Sequence, residues 1–338
     1  MGKTTIEWTD YSWNPVTGCT PVSEGCRNCY ARRIAHRLSQ NPAVPHRERY
    51  EGFRVSCWPE RLEEPLRWRK PRTVFVCSMG DIFHSNVPAD FIDRVLEIIA
   101  ACPQHTFLML TKRPENIEDK LYGGKGARVL GGDDYLPNLG LGVTVENQDA
   151  VKRILHLLKI PAAMRFVSIE PMLGPVNLTA IIIPVTGPGS SQPCAPETYR
   201  KINALTGDDY YLDWHGRGAG HQGPKLDWVI CGGESGQGAR PMHPDWVRSL
   251  RNQCVNAEVP FLFKQWGQWM PHDGCWDEPH QKIIMAPDGE VRQPYSGWGL
   301  DVWERRWEFM IRVGKGRAGR LLDGRIWDQM PEVTPCAG

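Results

Sequence analysis

The sequence predicts an α/β fold that contains a partial or near-complete (β/α) barrel. Apolar runs rich in β-branched residues alternate along the chain with segments whose apolar residues recur at helical spacing. The runs are apolar throughout, as expected for strands covered on both faces. Strict alternation of strand and helix requires parallel pairing through right-handed crossovers. A doubly wound open sheet produces the same pattern, so that architecture stays open as an alternative.

The predicted elements form six or seven strand–helix units. In the segment 88–101, Phe91, Val95 and Ile99 fall on one helical face, and Pro88 suits a helix start. Strands are predicted at 73–77, 106–110, 139–145, 165–169, 227–231 and 261–263, with 17–19 as a candidate first strand. Further helices are predicted at 114–121, 148–158 and 244–257.

Two segments interrupt this pattern and suggest the domain organisation. Residues 184–224 form a Gly-, Pro- and Ser-rich insertion with scattered aromatic residues, and a loop of that length is usually functional or disordered. Residues 268–338 lack the alternation and hold six of the fourteen tryptophans. We therefore predict a barrel over residues 1–267, with an insertion at 184–224, and a Trp-rich C-terminal appendage over 268–338.

Bulk composition excludes few classes of protein. The 338 residues suffice for one large domain with an appendage, and the net charge of +1 indicates neither a nucleic-acid nor a membrane partner. No apolar run reaches the roughly 18 residues of a membrane span. The N-terminal segment lacks the apolar stretch of a secretory signal. We expect a cytoplasmic protein with no membrane partner.

Three of the eleven cysteines are crowded together, at Cys19, Cys26 and Cys29. Three thiolates this close can hold a [4Fe–4S] cluster whose fourth iron is open, the arrangement that radical S-adenosylmethionine (SAM) enzymes use to bind SAM. The same spacing with the nearby His36 also suits a structural zinc site. A third interpretation is that the cysteines bind no metal.

Polar residues follow each predicted strand, where a barrel enzyme places its chemistry. A lone acidic residue after a strand is more often a helix N-cap, but six strand ends in succession carry such groups. The residues are Ser78, Met79, Gly80 and Asp81; Thr111, Lys112 and Arg113; Thr144, Glu146 and Asn147; Ser168 and Glu170; Gly232, Gly233, Glu234 and Ser235; and Lys264, Gln265 and Trp266. We expect them to converge around the cysteines.

Eight motifs make the chain resemble a phage-associated radical-SAM-like family with a C-x6-C-x2-C cysteine pattern. The match extends from about residue 4 to 268 and is weakest over 184–224. The motifs are TIEWTD at 5–10, WNPVTGC at 13–19, GCRNCY at 25–30, MGDIF at 79–83, LTKRP at 110–114, GGESG at 232–236, ARPM at 239–242 and FKQWG at 263–267.

The resemblance implies a radical-SAM barrel with a [4Fe–4S] cluster on Cys19, Cys26 and Cys29, and with SAM as cofactor. By analogy, the backbone of Met79-Gly80-Asp81 binds the methionyl amino group, and Gly232-Gly233-Glu234 binds the adenosine end or the substrate. The first cysteine gap is six residues rather than the usual three, and Asn28 replaces the usual aromatic residue. The implied cofactor-binding residues are Tyr30, Ser78, Met79, Gly80, Asp81, Thr111, Thr144, Glu146 and Glu170.

The same resemblance implies an enzyme that modifies phage DNA in the cytoplasm of an infected bacterial host. The best hypothesis is a radical SAM isomerase that converts a glycinyl adduct on hypermodified thymidine from nitrogen to α-carbon attachment. The candidate catalytic residues are Glu146, Glu170, Lys112, Lys264 and Cys231. The alternatives are radical SAM repair or modification of another nucleic acid or nucleotide, and a zinc-stabilised DNA-binding accessory protein.

Local charge supports double-stranded DNA carrying modified thymidine as a partner. Residues 27–72 hold twelve Lys or Arg residues against five acids. Phosphate contacts need only such a local excess, and the interleaved Trp58, Trp68 and Tyr50 are candidates for stacking on bases. A solvated helix face with paired charges is an equally good interpretation. A flavodoxin or ferredoxin is the expected electron donor.

Overall fold

The main sheet of the protein contains seven parallel strands whose spatial order follows their order in the chain. A computed structural model describes residues 3–122, 135–185, 198–213, 215–272, 280–293 and 306–332. The strands are β1 (Tyr11–Trp13), β2 (Thr73–Val76), β3 (Thr106–Thr111), β4 (Leu139–Thr144), β5 (Met164–Ile169), β6 (Trp228–Gly232) and β7 (Phe261–Gln265). Strand order reverses in a doubly wound sheet, so this sheet is instead a curled half-barrel, as predicted.

Helices follow most of these strands, close to the predicted positions. They are α1 (Tyr30–Gln40), α2 (Ala89–Ala100), α3 (Ile117–Tyr122), α4 (Lys152–Leu157) and α5 (Pro244–Asn256). Two predicted helices begin as 3-10 turns, at Pro114–Asn116 and Gln148–Val151. In α2, the predicted face of Phe91, Val95 and Ile99 is buried in the core. No helix in the described ranges is long and apolar enough to span a bilayer.

Side chains alternate between the two faces of the half-barrel. Phe75, Phe166 and Ile230 lie in a cluster on the concave face, where the ring of Trp8 packs 4.7 Å from that of Phe75. Their neighbours in sequence, such as Val167, pack against the helices on the convex face. Because the period is two residues, the alternation also decides which strand-end residues face the interior.

Gly142 of β4 leaves space for packing inside the half-barrel. A Cβ atom at this position would lie 2.4 Å from Cζ of Phe166. No Cβ approaches a rigid ring that closely, so the aromatic floor of the barrel requires glycine here.

The predicted first strand at 17–19 is wrong. The first strand of the sheet is β1, in which Trp13 pairs with Val76. Val16–Thr17 instead pairs antiparallel with Ser56–Cys57, and Gly18 makes only an isolated bridge with Gly80. Gly18 has φ +86°, a left-handed conformation that turns the chain at the start of the cysteine segment.

Two antiparallel sheets accompany the half-barrel. The first comprises Ile181–Val185, Thr198–Ile202, Asp208–Leu212 and Gly218–Gln222, so the segment that suggested a long loop contains β-structure. The second comprises Trp269–Pro271, Lys282–Met285, Val291–Arg292 and Glu308–Arg312. A short helix, Lys315–Ala318, and a hairpin of Leu321–Leu322 with Arg325–Ile326 follow.

The tryptophans of the C-terminal segment attach it to the half-barrel. Phe263 N donates to Trp327 O (2.8 Å), and Trp269 Nε1 donates to Ala239 O (2.7 Å). Parts of the two predicted segments lie outside the described residues, namely 186–197, Trp214, Trp276, Trp298 and Trp303. The division into domains at residue 267 stays a prediction.

Candidate active site

A cavity of about 540 Å³ opens at the carboxyl edge of the half-barrel. Its walls come from the N-terminal segment, the cysteine segment, the strand ends and Lys315 of the C-terminal part. The candidate catalytic, cofactor-binding and metal-binding residues that lie in these walls are Cys19, Cys26, Cys29, Tyr30, Ser78, Met79, Gly80, Asp81, Thr111, Lys112, Thr144, Glu170 and Lys264. Glu146, Cys231 and Gly232 are not among the lining residues. The expected convergence of strand-end residues and cysteines is therefore present.

Cys19 is held by Arg113, a buried cation. Arg113 Nη1 donates to Cys19 Sγ (3.2 Å) and to Asp81 Oδ2 (3.1 Å), while Nη2 donates to Thr20 O (2.7 Å). Burial and the Asp81 charge raise the pKa of the Cys19 thiol, although Arg113 opposes them. Arg113 thus joins the first cysteine to the end of β3.

The carboxylate of Asp81 is occupied by internal contacts. It accepts hydrogen bonds from Thr111 Oγ1 (2.8 Å), from Phe83 N (3.1 Å) and from Arg113. Nearby, Met79 N donates to Asn14 Oδ1 (2.8 Å), which fixes the turn after β2. Ser78, Met79 and Gly80 of this predicted cofactor-binding turn line the cavity, and the Ser78 carbonyl accepts a hydrogen bond from Tyr30 Oη.

Cys26 is held through Glu146, which is buried beneath the cysteine segment. Glu146 Oε1 accepts from Ser23 Oγ (2.6 Å) and from Lys112 Nζ, and Oε2 accepts from Arg153 Nη1 (2.7 Å). Burial raises the pKa of Glu146, but the two cations outweigh it and the pKa is lowered overall. Burial likewise raises the pKa of the Cys26 thiol, yet Lys112 and hydrogen bonds from the loop lower it overall.

Cys29 is held through the loop that follows β6. Asn28 Nδ2 donates to Glu234 Oε2 (2.9 Å), and Arg240 Nη2 donates to Glu234 Oε1 (2.7 Å) and to Glu24 O (3.0 Å). Burial raises the pKa of Glu234, but hydrogen bonds from Arg240 and Asn28 lower it overall. The implied role of Glu234 at the adenosine end or the substrate is not supported by these contacts, because they use its carboxylate to hold the cysteine segment.

Glu170 and Lys264 form a looser pair on another part of the cavity wall. Lys264 Nζ lies 3.2 Å from Glu170 Oε1, and Ser168 Oγ lies 3.3 Å from Glu170 Oε2. The concave orientation of both side chains follows from the strand alternation that turns Phe166 and Leu262 inward.

Cys231 is not brought together with the other candidate residues. Its side chain is fully buried among convex-face residues, and its Sγ lies 3.6 Å from Met172 Sδ. Burial raises the pKa of its thiol well above the ordinary value. The one-residue offset from Ile230, which faces the interior, explains the position.

The three cavity thiols are not clustered around one point. Within the described ranges, no group of three or more His, Cys, Asp or Glu side chains is placed to hold a single metal ion. A tetrahedral zinc site needs ligands about 2.0–2.3 Å from one ion, whereas a cubane binds each cysteine to a different iron. The number of donors, three thiolates in one cavity wall, matches the ligand set of a cluster that leaves one iron open.

The aromatic part of the basic segment has a structural role. Trp58 and Tyr50 are buried beneath the cysteine segment, and the guanidinium carbons of Arg49 and Arg61 lie 4.5 and 3.6 Å from the Trp58 ring centroid. The prediction that Trp58 and Tyr50 stack on bases is therefore wrong. Trp68 is half-buried against the main core.

Four of the remaining basic residues form an exposed row beside the cavity. Arg32, Arg33 and Arg37 lie on the outer face of α1, and Arg27 precedes the helix. Arg33 Nη2 donates to the carbonyl of Ser235 (3.2 Å), a residue of the cavity wall. The row is therefore continuous with the rim of the cavity.

Four further residues that sequence reasoning missed hold the site together: Asn14, Ser23, Arg153 and Arg240. Asn14 and Arg240 lie inside motifs, and Ser23 lies within the cysteine segment. Arg153 had no such signal, because a lone arginine on an amphipathic helix is ordinarily solvated.

Comparisons with known proteins give one family and a weak structural likeness. A family model described as "Protein of unknown function (DUF5131)" matches residues 3–331. Comparison with curated proteins yields no significant match. Among solved structures, a cysteine-to-serine mutant of spore photoproduct lyase is 12% identical over 48% of this chain and 46% of that chain, with a TM-score of 0.33. Spore photoproduct lyase complexed with dinucleoside spore photoproduct gives 12% over 50% of each chain, with a TM-score of 0.34. The chain thus spans about half the length of these structures, and a likeness of this degree does not identify an activity.

The lowered pKa of Glu146 predicts a specific pH dependence of stability. A carboxylate whose folded pKa is depressed stabilises the fold above its ordinary pKa of about 4.3, and this contribution is lost as pH falls through the folded value. We expect Glu146→Gln to lower the free energy of unfolding by about 3 kcal/mol at pH 7, with the difference shrinking below about pH 4.

Urea unfolding of wild type and variant between pH 3 and pH 7 measures this difference. Glu118→Gln on exposed α3 is the control and should stay within about 0.5 kcal/mol of wild type. A Glu146→Gln penalty that is independent of pH would show that the carboxylate charge does not hold the loop.

Proposed function

The chain belongs to the DUF5131 family, and we propose that it is a radical SAM enzyme with a [4Fe–4S] cluster on Cys19, Cys26 and Cys29. The observation that carries this proposal is the presence of three free thiols in the wall of one cavity at the carboxyl edge of a parallel half-barrel. Each thiol belongs to a segment held by a buried carboxylate: Asp81, Glu146 or Glu234. Such fixed, spaced ligands suit a cluster that leaves one iron open.

When bound, a cluster of this kind with SAM supplies a 5′-deoxyadenosyl radical, after reduction by an external electron donor such as a flavodoxin or ferredoxin. The chain itself orients the reactants and limits access of water. Trp8 and Phe75 close the floor of the cavity. Lys112 and Arg113 place cationic groups beside the thiols, and the backbone of Met79 and Gly80 lines the wall nearby.

We further propose that the substrate is a thymidine in DNA that carries a glycinyl adduct. Moving the glycine from nitrogen to α-carbon attachment breaks the N–CH₂ bond and one Cα–H bond. It forms a Cα–CH₂ bond and one N–H bond, so the isomerisation neither adds nor removes atoms and is redox-neutral. The cavity volume lies within the range of small-molecule sites. A base must leave the duplex to enter such a cavity, and the exposed arginine row beside its rim can hold the flanking phosphates.

The cysteine triplet predicts the metal content of the protein. Anaerobically purified protein should contain about four irons and four sulfides per chain, and it should give a cluster electron paramagnetic resonance signal after reduction. Cys19→Ala, Cys26→Ala and Cys29→Ala should each lose most of the iron. Cys102→Ala is the matched control, because Cys102 is buried in the core away from the cavity. A wild-type protein that holds one zinc would contradict the proposal.

The arginine row predicts salt-dependent DNA binding. Arg32→Gln/Arg37→Gln should weaken binding of a fluorescent duplex and reduce the slope of log affinity against log salt by about 1 per arginine. Fluorescence anisotropy at several salt concentrations measures both quantities. Arg94→Gln, at an exposed position of α2, should change neither. Equal slopes in wild type and the double variant would remove this face from the DNA site.

A further inference from the structure

The strand-end carboxylates of the site differ in how fully they are hydrogen-bonded. Asp81, Glu146 and Glu234 each accept short hydrogen bonds from at least two side chains, among them an arginine that lies within 3.1 Å. Among the described residues, Glu170 has only Lys264, at 3.2 Å and 3.5 Å, and Ser168, at 3.3 Å. Three of the four carboxylates thus already accept strong hydrogen bonds from within the protein, whereas Glu170 can still accept hydrogen bonds from a ligand.

The Glu170–Lys264 pair also faces the cavity. Both side chains line it, and each retains about one-sixth of its exposure, 16% for Glu170 and 17% for Lys264. Gly232 leaves room beside the pair, because a Cβ atom there would lie 2.6 Å from Glu170 Oε1. A largely buried ion pair whose one further hydrogen bond among the described residues is long, 3.3 Å from Ser168 Oγ, gains little stability, since desolvation offsets the attraction. Its position is better explained by binding.

We propose that Glu170 and Lys264 bind the α-amino-acid group of the substrate. Lys264 receives the carboxylate, Glu170 receives the ammonium group, and the Ser168 hydroxyl adds a hydrogen bond. A zwitterion suits a pair of opposite charges. Glu170 and Lys264 each replace their contact with the other by a contact with the oppositely charged group of the ligand, so no net charge is buried. This inference rests on the proposed function for the nucleoside that carries the amino acid.

The methionyl part of SAM carries the same α-amino-acid group, so SAM is a second source of this chemistry in the cavity. The cysteine segment is anchored to residues that follow β2, β3, β4 and β6. Glu170 follows β5, and Lys264 is the penultimate residue of β7. Neither makes a hydrogen bond to the cysteine segment within the described residues. We therefore assign the pair to the substrate and the cysteine side of the cavity to SAM.

The test measures binding to cluster-free protein with short single-stranded DNA probes. The central thymidine carries an N-linked glycine, the corresponding glycinamide, an N-acetylglycine or no adduct. Wild type should bind the glycine probe about tenfold more tightly than the other three. Lys264→Met should abolish the preference for glycine over glycinamide. Glu170→Gln should abolish the preference for glycine over N-acetylglycine. SAM affinity, measured separately on the cluster-loaded protein, should not change in either variant.

Controls separate recognition from folding. Arg251→Met removes a cation that pairs with Asp323 outside the cavity, and it should keep every probe preference. Glu170→Gln/Lys264→Met removes both charges, so it avoids an uncompensated buried charge and should show neither preference. A wild type without preference for the glycine probe overturns the inference, and so does a loss of SAM affinity with probe binding unchanged. Absence of the cluster would instead contradict the proposed function while leaving these probe preferences intact.

Discussion

The arrangement of the site depends on the hydrogen bonds and ion pairs that the Glu146 carboxylate makes. It joins Ser23 of the cysteine segment, Lys112 after β3 and Arg153 of α4, three elements that are otherwise distant in sequence. The cysteine segment has little regular structure before α1, so its shape depends on such external anchors. Removing one partner of a buried ion network leaves an uncompensated charge that costs about 3–5 kcal/mol. This cost keeps the segment in one conformation.

Asp81 and Glu234 anchor the cysteine segment in the same way as Glu146. Each accepts a hydrogen bond from an arginine and connects a strand end to one part of the cysteine segment. The site therefore separates two tasks that sequence motifs do not distinguish. Carboxylates that already accept short hydrogen bonds from several side chains hold the thiols in place. Glu170, which accepts longer hydrogen bonds, remains available to a ligand in the cavity. The same arrangement explains why polar residues recur at successive strand ends.

Periodicity made most of the barrel and its site predictable. Six strands and the residues that follow them were recognisable because apolar runs and strand ends carry local signals. The prediction of a first strand at 17–19 was wrong because the actual first strand, β1, is only three residues long. It is identified by its pairing with β2, which the sequence does not show. The roles of Trp58 and Glu234 were also inaccessible, since aromatic and acidic residues look alike in sequence whether they bind partners or support a loop. Cys231 is buried because of a one-residue offset in a strand, which motif matching does not resolve.

The proposed radical SAM chemistry depends on the three anchored cysteines of this half-barrel. The most direct measurement is formation of 5′-deoxyadenosine when the anaerobic, reconstituted protein is mixed with dithionite and SAM. We expect 5′-deoxyadenosine to accumulate with wild type and to be absent with Cys26→Ala. A wild-type protein that carries its full complement of iron and yet forms no 5′-deoxyadenosine under reducing conditions would contradict it.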